Sequence, residues 1–265
     1  MTSKKFANLP IPSENTTFLI AEIGLNHNGN LNLCLEMVKE AALSGASLIK
    51  LQKRDIFHLM TKDQLDQDFF KVPTFGINQR EVRLKNELNF EEYKKIFEYS
   101  QSLGMIPFAT AFDLKSLDFL CKLDSKIIKI ASHSSSNISL INEALKRNLS
   151  LIISTGGLSK DQILKLAKFL EPYRNQVCLM HCTSAYPCPP NEAFTDTITW
   201  FKNEFPDFLV GFSSHEEGFA ASITASILGA NFVERHFTLS KAAPGFDHGI
   251  SMEPNEFKEF AMFLK

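Results

Sequence analysis

The chain has 265 residues, with 28 lysine and arginine residues against 30 aspartate and glutamate residues and a formal net charge of −2. A near-neutral chain lacks the concentrated positive charge that nucleic-acid binding requires, so we expect no nucleic-acid partner. No stretch approaches the roughly 18 apolar residues of a membrane span, and the amino terminus has no apolar signal segment, so we expect a soluble, cytoplasmic protein with no membrane partner.

Short apolar runs alternate along the chain with segments of helical periodicity, beginning with a strand at Phe18–Ile23 and a helix at 31–44. Several strands are apolar at nearly every position, which is typical of a parallel sheet covered on both faces. The later strands are predicted at Leu48–Leu51, Ile106–Thr110, Ile127–Ile130, Leu151–Ser154, Val177–His181, Leu209–Phe212 and Phe232–His236. The later helices are predicted at 90–103, 114–123, 138–148, 160–170, 194–204, 217–228 and 255–264.

Eight strand–helix pairs predict an α/β fold of the (β/α)8 TIM-barrel type. We expect a single domain over residues 1–265, with an N-terminal extension at 1–16. Asn89 and Glu92 have the spacing of a capping box at the start of a helix. The connection from Lys53 to Asn89 exceeds the usual length of a loop in a compact domain, and it is predicted to cover the substrate.

Polar residues end or follow all eight predicted strands, where a barrel carries its chemistry. Lys50 and Lys129 accompany several hydroxyl side chains, and this mixture of donors suits the phosphate and carboxylate of a small phosphorylated acid. Because a buried charge costs free energy unless it is paired or liganded, the lysines indicate an anionic ligand, a metal ion or both. The hydroxyl side chains are those of Thr110, Ser132, Ser154, Ser184 and Ser213.

Two histidines, His215 and His236, end or follow neighbouring predicted strands and are candidate ligands of a divalent metal ion. Two imidazoles leave coordination positions for water and a substrate oxygen. This arrangement favours a weakly held Mn²⁺ or Mg²⁺ over structural zinc.

Nine segments in order resemble the sialic acid synthase family from about Phe18 to Glu259. Each lies at the end of a predicted strand or in the loop that follows it. The resemblance implies a barrel enzyme that condenses phosphoenolpyruvate with an N-acetylmannosamine-like amino-sugar, forming a nine-carbon 2-keto acid and releasing phosphate. The segments are AEIGLNHNG (21–29), GASLIKLQ (45–52), PFATAFD (107–113), KIAS (129–132), ISTGG (153–157), HCTSAYP (181–187), GFSSH (211–215), VERHFTL (233–239) and GFDHGISMEP (245–254).

The resemblance also implies roles for individual residues. The two lysines and the five hydroxyl residues would bind phosphoenolpyruvate, while the metal on His215 and His236 would polarise the sugar aldehyde. Glu22 would transfer a proton or orient the attacking water. The residues at sugar-contacting positions are Gln52, Tyr186 and Asp247. The predicted catalytic residues are Glu22, Lys50, Lys129, His215 and His236.

Three features depart from the family pattern. Family members usually carry a C-terminal antifreeze-like domain that reaches across a homodimer and gives an arginine to the partner's sugar site, whereas this chain ends at its eighth predicted helix. Either another polypeptide supplies that contact, or Arg54 or Arg80 replaces it, or the enzyme lacks it. His133 and Ser134 replace a glycine and an acidic residue, and Ser214 replaces an aspartate that could orient a metal-binding histidine.

Two other functions are compatible with the residues. A Schiff-base aldolase would use Lys50 or Lys129 as its nucleophile and would be trapped by borohydride as a pyruvate adduct, whereas a metal-dependent synthase would be sensitive to EDTA. A non-catalytic binding protein derived from a synthase would bind phosphoenolpyruvate without releasing phosphate.

Overall fold

The computed structural model describes residues 5–7, 9–10, 17–69, 72 and 75–264. Eight parallel strands close into a barrel in chain order, which confirms the predicted (β/α)8 fold. We label them β1 to β8. Their bounds are Phe18–Gly24, Leu48–Lys53, Ile106–Ala111, Ile127–Ile130, Ser150–Ser154, Val177–Cys182, Leu209–Ser214 and Phe232–His236.

All eight predicted helices are present, and their ends lie within three residues of the predicted bounds. Three further short helices lie in the connection between β2 and Asn89. Asn89 and Glu92 form the predicted capping box. The helices, α1 to α11, are Leu31–Leu43, Ile56–Leu59, Lys62–Leu65, Gln79–Lys85, Phe90–Ser102, Leu114–Lys122, Ile138–Lys146, Lys160–Leu170, Asp196–Glu204, Ala220–Ile227 and Pro254–Phe263.

Within the described residues, no helix has the length and apolar character needed to cross a membrane.

The chain divides into two compact units. The first contains the described residues up to Ile20, Lys126–Arg235, and the residues from Phe260 onward. The second contains Ala21–Ser125 and His236–Glu259. Each unit therefore draws on separate parts of the sequence.

In the first unit, β4 to β8 form a continuous parallel ladder. Its register sets Ser213 opposite both Cys182 and Glu234. The strand β4 reads Ile-Ile-Lys-Ile, and all four residues are buried. Isoleucine suits such a strand because its β-branched side chain packs well on a pleated surface. The packing of a buried apolar strand does not account for the lysine, Lys129.

In the second unit, β2 and β3 pair in parallel along six residues, with Gln52 opposite Thr110. The first four residues of β2 are buried, and its last two are half-buried. Because side chains alternate along a strand, Lys50 and Gln52 point to the same side of β2. The register therefore places three predicted site residues on neighbouring strands.

The described part of the predicted N-terminal extension packs in the core of the first unit. Lys5–Phe6 and Leu9–Pro10 form a short antiparallel pair. The Phe6 ring is fully buried, with its centroid 5.4 Å from that of Phe232, and the Ala7 amide donates to the Ser150 hydroxyl at 3.0 Å. Since Ser150 and Phe232 begin β5 and β8, this segment covers the amino ends of these strands.

Replacement of Phe6 by alanine should lower the free energy of unfolding by about 3–5 kcal/mol, because a buried aromatic ring is lost and a cavity remains. Urea denaturation followed by circular dichroism would measure this change. Phe57→Ala is the matched control: its ring is 59% exposed, and the expected change is under about 1 kcal/mol. Equal effects of the two substitutions would show that the Phe6 contacts do not stabilise the fold.

Candidate active site

The second unit holds a buried carboxylate between two donors. Glu22 lies on β1, and its Oε1 is 3.4 Å from the Lys50 ammonium nitrogen. The Gln52 side-chain amide donates to the same oxygen at 2.9 Å. An ammonium group and an amide donor both stabilise the negative charge of a carboxylate. The structure therefore brings these three predicted site residues into direct contact.

The first unit holds a second buried acid–lysine contact. The Lys129 ammonium on β4 donates to both carboxylate oxygens of Glu234 on β8, at 2.8 and 2.7 Å. The Ser213 hydroxyl donates to one of those oxygens at 3.0 Å. All three side chains are buried. Glu234 is not among the predicted site residues, although the need of a buried lysine for an opposite charge points to it.

Two predicted hydroxyl residues meet at a glycine in the first unit. A Cβ atom added to Gly156 would lie 2.8 Å from both the Ser132 and the Ser184 hydroxyl oxygens. Only glycine permits this close approach. A cavity of about 510 Å³ adjoins the glycine and is lined by Thr155, Gly156, Cys182 and Ser184, among others. Hydroxyls around an open cavity are suited to binding ligand oxygens.

The remaining predicted hydroxyls end or nearly end their strands. Thr110 is the fifth of the six residues of β3, and Ser154 is the last residue of β5. Both are buried.

His215 has one ring nitrogen engaged by the backbone. Its Nδ1 lies 3.1 Å from the Thr183 carbonyl oxygen. Because a carbonyl only accepts, this hydrogen bond places the proton on Nδ1 and the lone pair on Nε2, which is the form that binds metals. The Tyr186 ring packs against the imidazole at a tilt of 36°, with a centroid distance of 3.9 Å. The Thr183 carbonyl thus orients His215 without a carboxylate at position 214, where the Ser214 hydroxyl donates to Glu216.

His236, at the end of β8, faces a carboxylate in the second unit. Its Nδ1 is 4.0 Å from an Asp247 oxygen. A carboxylate near Nδ1 favours the proton there and a lone pair on Nε2. Each imidazole, considered within its own unit, can thus present an Nε2 lone pair. No group of three or more His, Cys, Asp or Glu side chains arranged for a metal ion occurs in the described part of the chain.

The structure separates the two arginines predicted as candidates for a sugar contact. Arg80 is half-buried and is paired with the exposed Asp66 carboxylate at 2.6 Å. Arg54 is half-buried and donates to the Gln52 side-chain carbonyl. Only Arg54 therefore contacts a predicted site residue.

A further buried ion pair was not anticipated from the sequence. The Arg235 guanidinium lies 3.2 Å from Glu216, and Glu216 also accepts from the amides of Ala221 and Ser222 at 2.8 Å each. Alternation along β8 points Arg235 away from the side shared by Glu234 and His236. The pair anchors the start of α10.

A closed parallel barrel with buried lysine–glutamate contacts is typical of a barrel enzyme. Residues 37–264 match the model of the NeuB family. The chain therefore belongs to the NeuB family, which confirms the resemblance found in the sequence.

Named relatives agree with this membership. The N-acetylneuraminate-9-phosphate synthase of Mus musculus is 32% identical over 94% of this chain and 69% of its own length. The N,N'-diacetyllegionaminic acid synthase of Campylobacter jejuni is 35% identical over 91% of this chain and 73% of its own length. The crystal structure of a sialic acid synthetase from Leptospira borgpetersenii, solved with citrate, superposes with a TM-score of 0.80 at 32% identity, covering 95% of this chain and 83% of that one.

One histidine of the 21–29 segment is held neutral. His27 is fully buried, and the Gly29 amide donates to its Nδ1 at 3.0 Å. The neutral ring therefore carries its proton on Nε2. Burial, together with the positive charge of Lys53, lowers the pKa of His27 to about 4.

Because the folded chain binds the His27 proton less tightly than the unfolded chain, acidification should favour unfolding below the ordinary pKa of about 6.5. From pH 6.5 to pH 5, this residue alone should lower the free energy of unfolding by about 1.5 kcal/mol. Urea denaturation of wild type and His27→Gln across this range would measure it, and the variant should lose that part of the pH dependence. Nitrogen NMR should show the proton on Nε2 at pH 7, and a protonated Nδ1 would contradict the assignment.

Proposed function

We propose that the chain condenses phosphoenolpyruvate with an N-acetylmannosamine-like amino-sugar to give a nine-carbon 2-keto acid and inorganic phosphate. Its membership of the NeuB family supports this reaction class. The observation that carries the proposal is the buried Lys129 ammonium, which lies with Glu234 and Ser213 inside the first unit. Burying a charged ammonium group costs desolvation free energy, and a lysine that is nevertheless kept in the core is suited to binding an anionic substrate.

The proposal assigns the oxyanions of phosphoenolpyruvate to charged and hydroxyl donors. Lysine provides a strong charge-assisted donor, while serine and threonine adapt their hydroxyl hydrogens to the ligand. The sugar would contact Gln52, Tyr186 and Asp247. The residues assigned to phosphoenolpyruvate are Lys50, Lys129, Thr110, Ser132, Ser154, Ser184 and Ser213.

Carbon–carbon bond formation requires attack by C3 of phosphoenolpyruvate on the sugar aldehyde carbon, with a proton reaching the aldehyde oxygen. Water then adds at C2, and the C2–O bond breaks so that phosphate leaves. Glu22 is proposed to orient this water or accept its proton. The Lys50 and Gln52 donors hold the Glu22 carboxylate in one position, which suits either task.

A divalent ion, Mn²⁺ or Mg²⁺, is proposed to bind His215 and His236 and would supply positive charge to the aldehyde oxygen. The Thr183 carbonyl would act through His215 by accepting the Nδ1 proton, and the negative charge of Asp247, 4.0 Å from His236 Nδ1, would favour the same tautomer in that ring.

The contacts of the two lysines disfavour a Schiff-base aldolase. Such an enzyme needs a neutral amine that can attack a carbonyl carbon. Lys129 donates to both oxygens of Glu234, and Lys50 lies beside Glu22. Neighbouring carboxylates stabilise the protonated ammonium form and so oppose nucleophilic attack.

Phosphate release from phosphoenolpyruvate should depend on an amino-sugar and on added Mn²⁺ or Mg²⁺. The assay would present a panel of six-carbon acceptors with and without metal, and mass spectrometry would identify the nine-carbon product. His236→Ala should fold and release no phosphate, because one imidazole ligand is missing. The metal assignment would be overturned if this variant released phosphate at the wild-type rate without metal. If the wild-type protein bound phosphoenolpyruvate but released no phosphate with any acceptor, the result would support a non-catalytic binding protein.

Lys129→Met should weaken phosphoenolpyruvate binding by about tenfold or more, because a charge-assisted donor is lost. Isothermal titration calorimetry would measure the affinity. Lys126→Met is the matched control, since Lys126 lies three positions away and is exposed. Because Lys129→Met leaves Glu234 buried beside an apolar side chain, Lys129→Met with Glu234→Gln should restore stability but not affinity. Unchanged affinity in both Lys129 variants would remove this residue from the proposed substrate contacts.

A further inference from the structure

Arg54 follows β2 and has few partners for a half-buried guanidinium. One of its terminal nitrogens donates to the Gln52 side-chain carbonyl, and its plane lies over the Phe112 ring at 4.2 Å from the centroid. Its Nε is buried without a hydrogen-bond partner among the described residues. Guanidinium carries five N–H donors, so most of this group's donor capacity is unused.

The neighbouring lysines differ from Arg54 in this respect. Arg54, Lys53 and Lys115 line one cavity of about 320 Å³ in the second unit. Lys53 is paired with Glu87 at 2.5 Å, and Lys115 with Asp55 at 3.2 Å. Arg54 has no such ion pair within the described part of the chain.

Among the described residues, no carboxylate forms an ion pair with the Arg54 guanidinium. Burial and the positive charge of Arg83 lower the pKa of Arg54, and the negative charges of Glu87 and Asp247 offset only part of this effect. Desolvating a guanidinium costs free energy that one amide acceptor does not return. The cost is offset if a ligand with several acceptor oxygens completes the hydrogen bonds.

We propose that Arg54 is a substrate-binding residue that takes a phosphate or carboxylate group in this cavity. The planar donor set of arginine matches such oxyanions in a bidentate manner. Phe112 holds the plane of the guanidinium, and Gln52 holds one edge, so the other donors are oriented before the ligand arrives. Gln52 also donates to Glu22, which links this group to the proposed acid–base residue.

The identity of the ligand rests on the proposed function, and two sources share this chemistry. One is phosphoenolpyruvate itself, and the other is a phosphate monoester on the amino-sugar. A role for Arg54 with the second source would make the enzyme selective for a phosphorylated acceptor.

The test is equilibrium binding, which does not depend on turnover. Isothermal titration calorimetry would compare wild type, Arg54→Gln, Arg54→Lys and Arg80→Gln with four probes: inorganic phosphate, phosphoenolpyruvate, N-acetylmannosamine and its 6-phosphate. Arg80→Gln is the matched control because Arg80 is also a half-buried arginine, but its charge is already paired with Asp66. Circular dichroism would verify folding of each variant.

Arg54→Gln should weaken at least one of the oxyanion probes by about tenfold or more and leave N-acetylmannosamine within about twofold of the control. The affinity of Arg54→Lys should fall between those of wild type and Arg54→Gln, because lysine keeps the charge and loses the bidentate geometry. If Arg54→Gln does not fold, a loss of affinity of about threefold or more in Arg54→Lys is the supporting result. Loss confined to the 6-phosphate would identify the sugar phosphate as the ligand, and loss with phosphoenolpyruvate would identify the three-carbon substrate.

The proposal is overturned if every oxyanion probe binds the folded Arg54 variants as it binds the control, or if wild type binds none of them. An equal loss with unphosphorylated N-acetylmannosamine would also overturn it, since Arg54 would then act only by holding Gln52. Oxyanion binding through Arg54 in a wild-type protein that releases no phosphate from phosphoenolpyruvate would contradict the proposed reaction and leave the Arg54 assignment supported.

Discussion

A lysine ammonium group inside a strand core is stable only when an opposite charge and further acceptors accompany it. The first unit meets this condition at Lys129, which contacts both carboxylate oxygens of Glu234. The second unit meets it at Lys50, which lies beside Glu22. Both contacts combine desolvated charges with hydrogen-bonding neighbours, so an anionic ligand would meet donors that are already oriented. Reorganisation on binding is thereby reduced.

Strand alternation determines which charges serve the candidate site and which serve the fold. On β8, Glu234 and His236 share one side, and Arg235 points to the other. Glu234 meets Lys129, whereas Arg235 meets Glu216 beneath the start of α10. A strand of five residues therefore carries a proposed substrate-binding contact on one side and a structural ion pair on the other.

The 21–29 segment shows how structural needs and chemistry share one stretch of sequence. Gly29 has a φ of +71°, and a Cβ there would lie 1.8 Å from the Lys85 carbonyl oxygen. The Asn26 side chain donates to the Phe237 carbonyl and the Ser251 hydroxyl, both at 2.9 Å. These contacts tie the loop after β1 to other parts of the second unit. The Glu22 side chain, seven residues before Gly29, interacts instead with Lys50.

The sequence by itself determined the barrel, because apolar runs and helical periodicity report burial directly, and it also indicated which residue types end the strands. It did not determine the partners of those residues. Glu234 bonds Lys129 from 105 positions away, the Thr183 carbonyl orients His215, and Arg54 rather than Arg80 approaches Gln52. Such contacts depend on strand register and on the path of the β2–α5 connection. They are decided by tertiary structure because a hydrogen bond requires atoms to meet within about 3 Å, a precision that sequence periodicity does not carry.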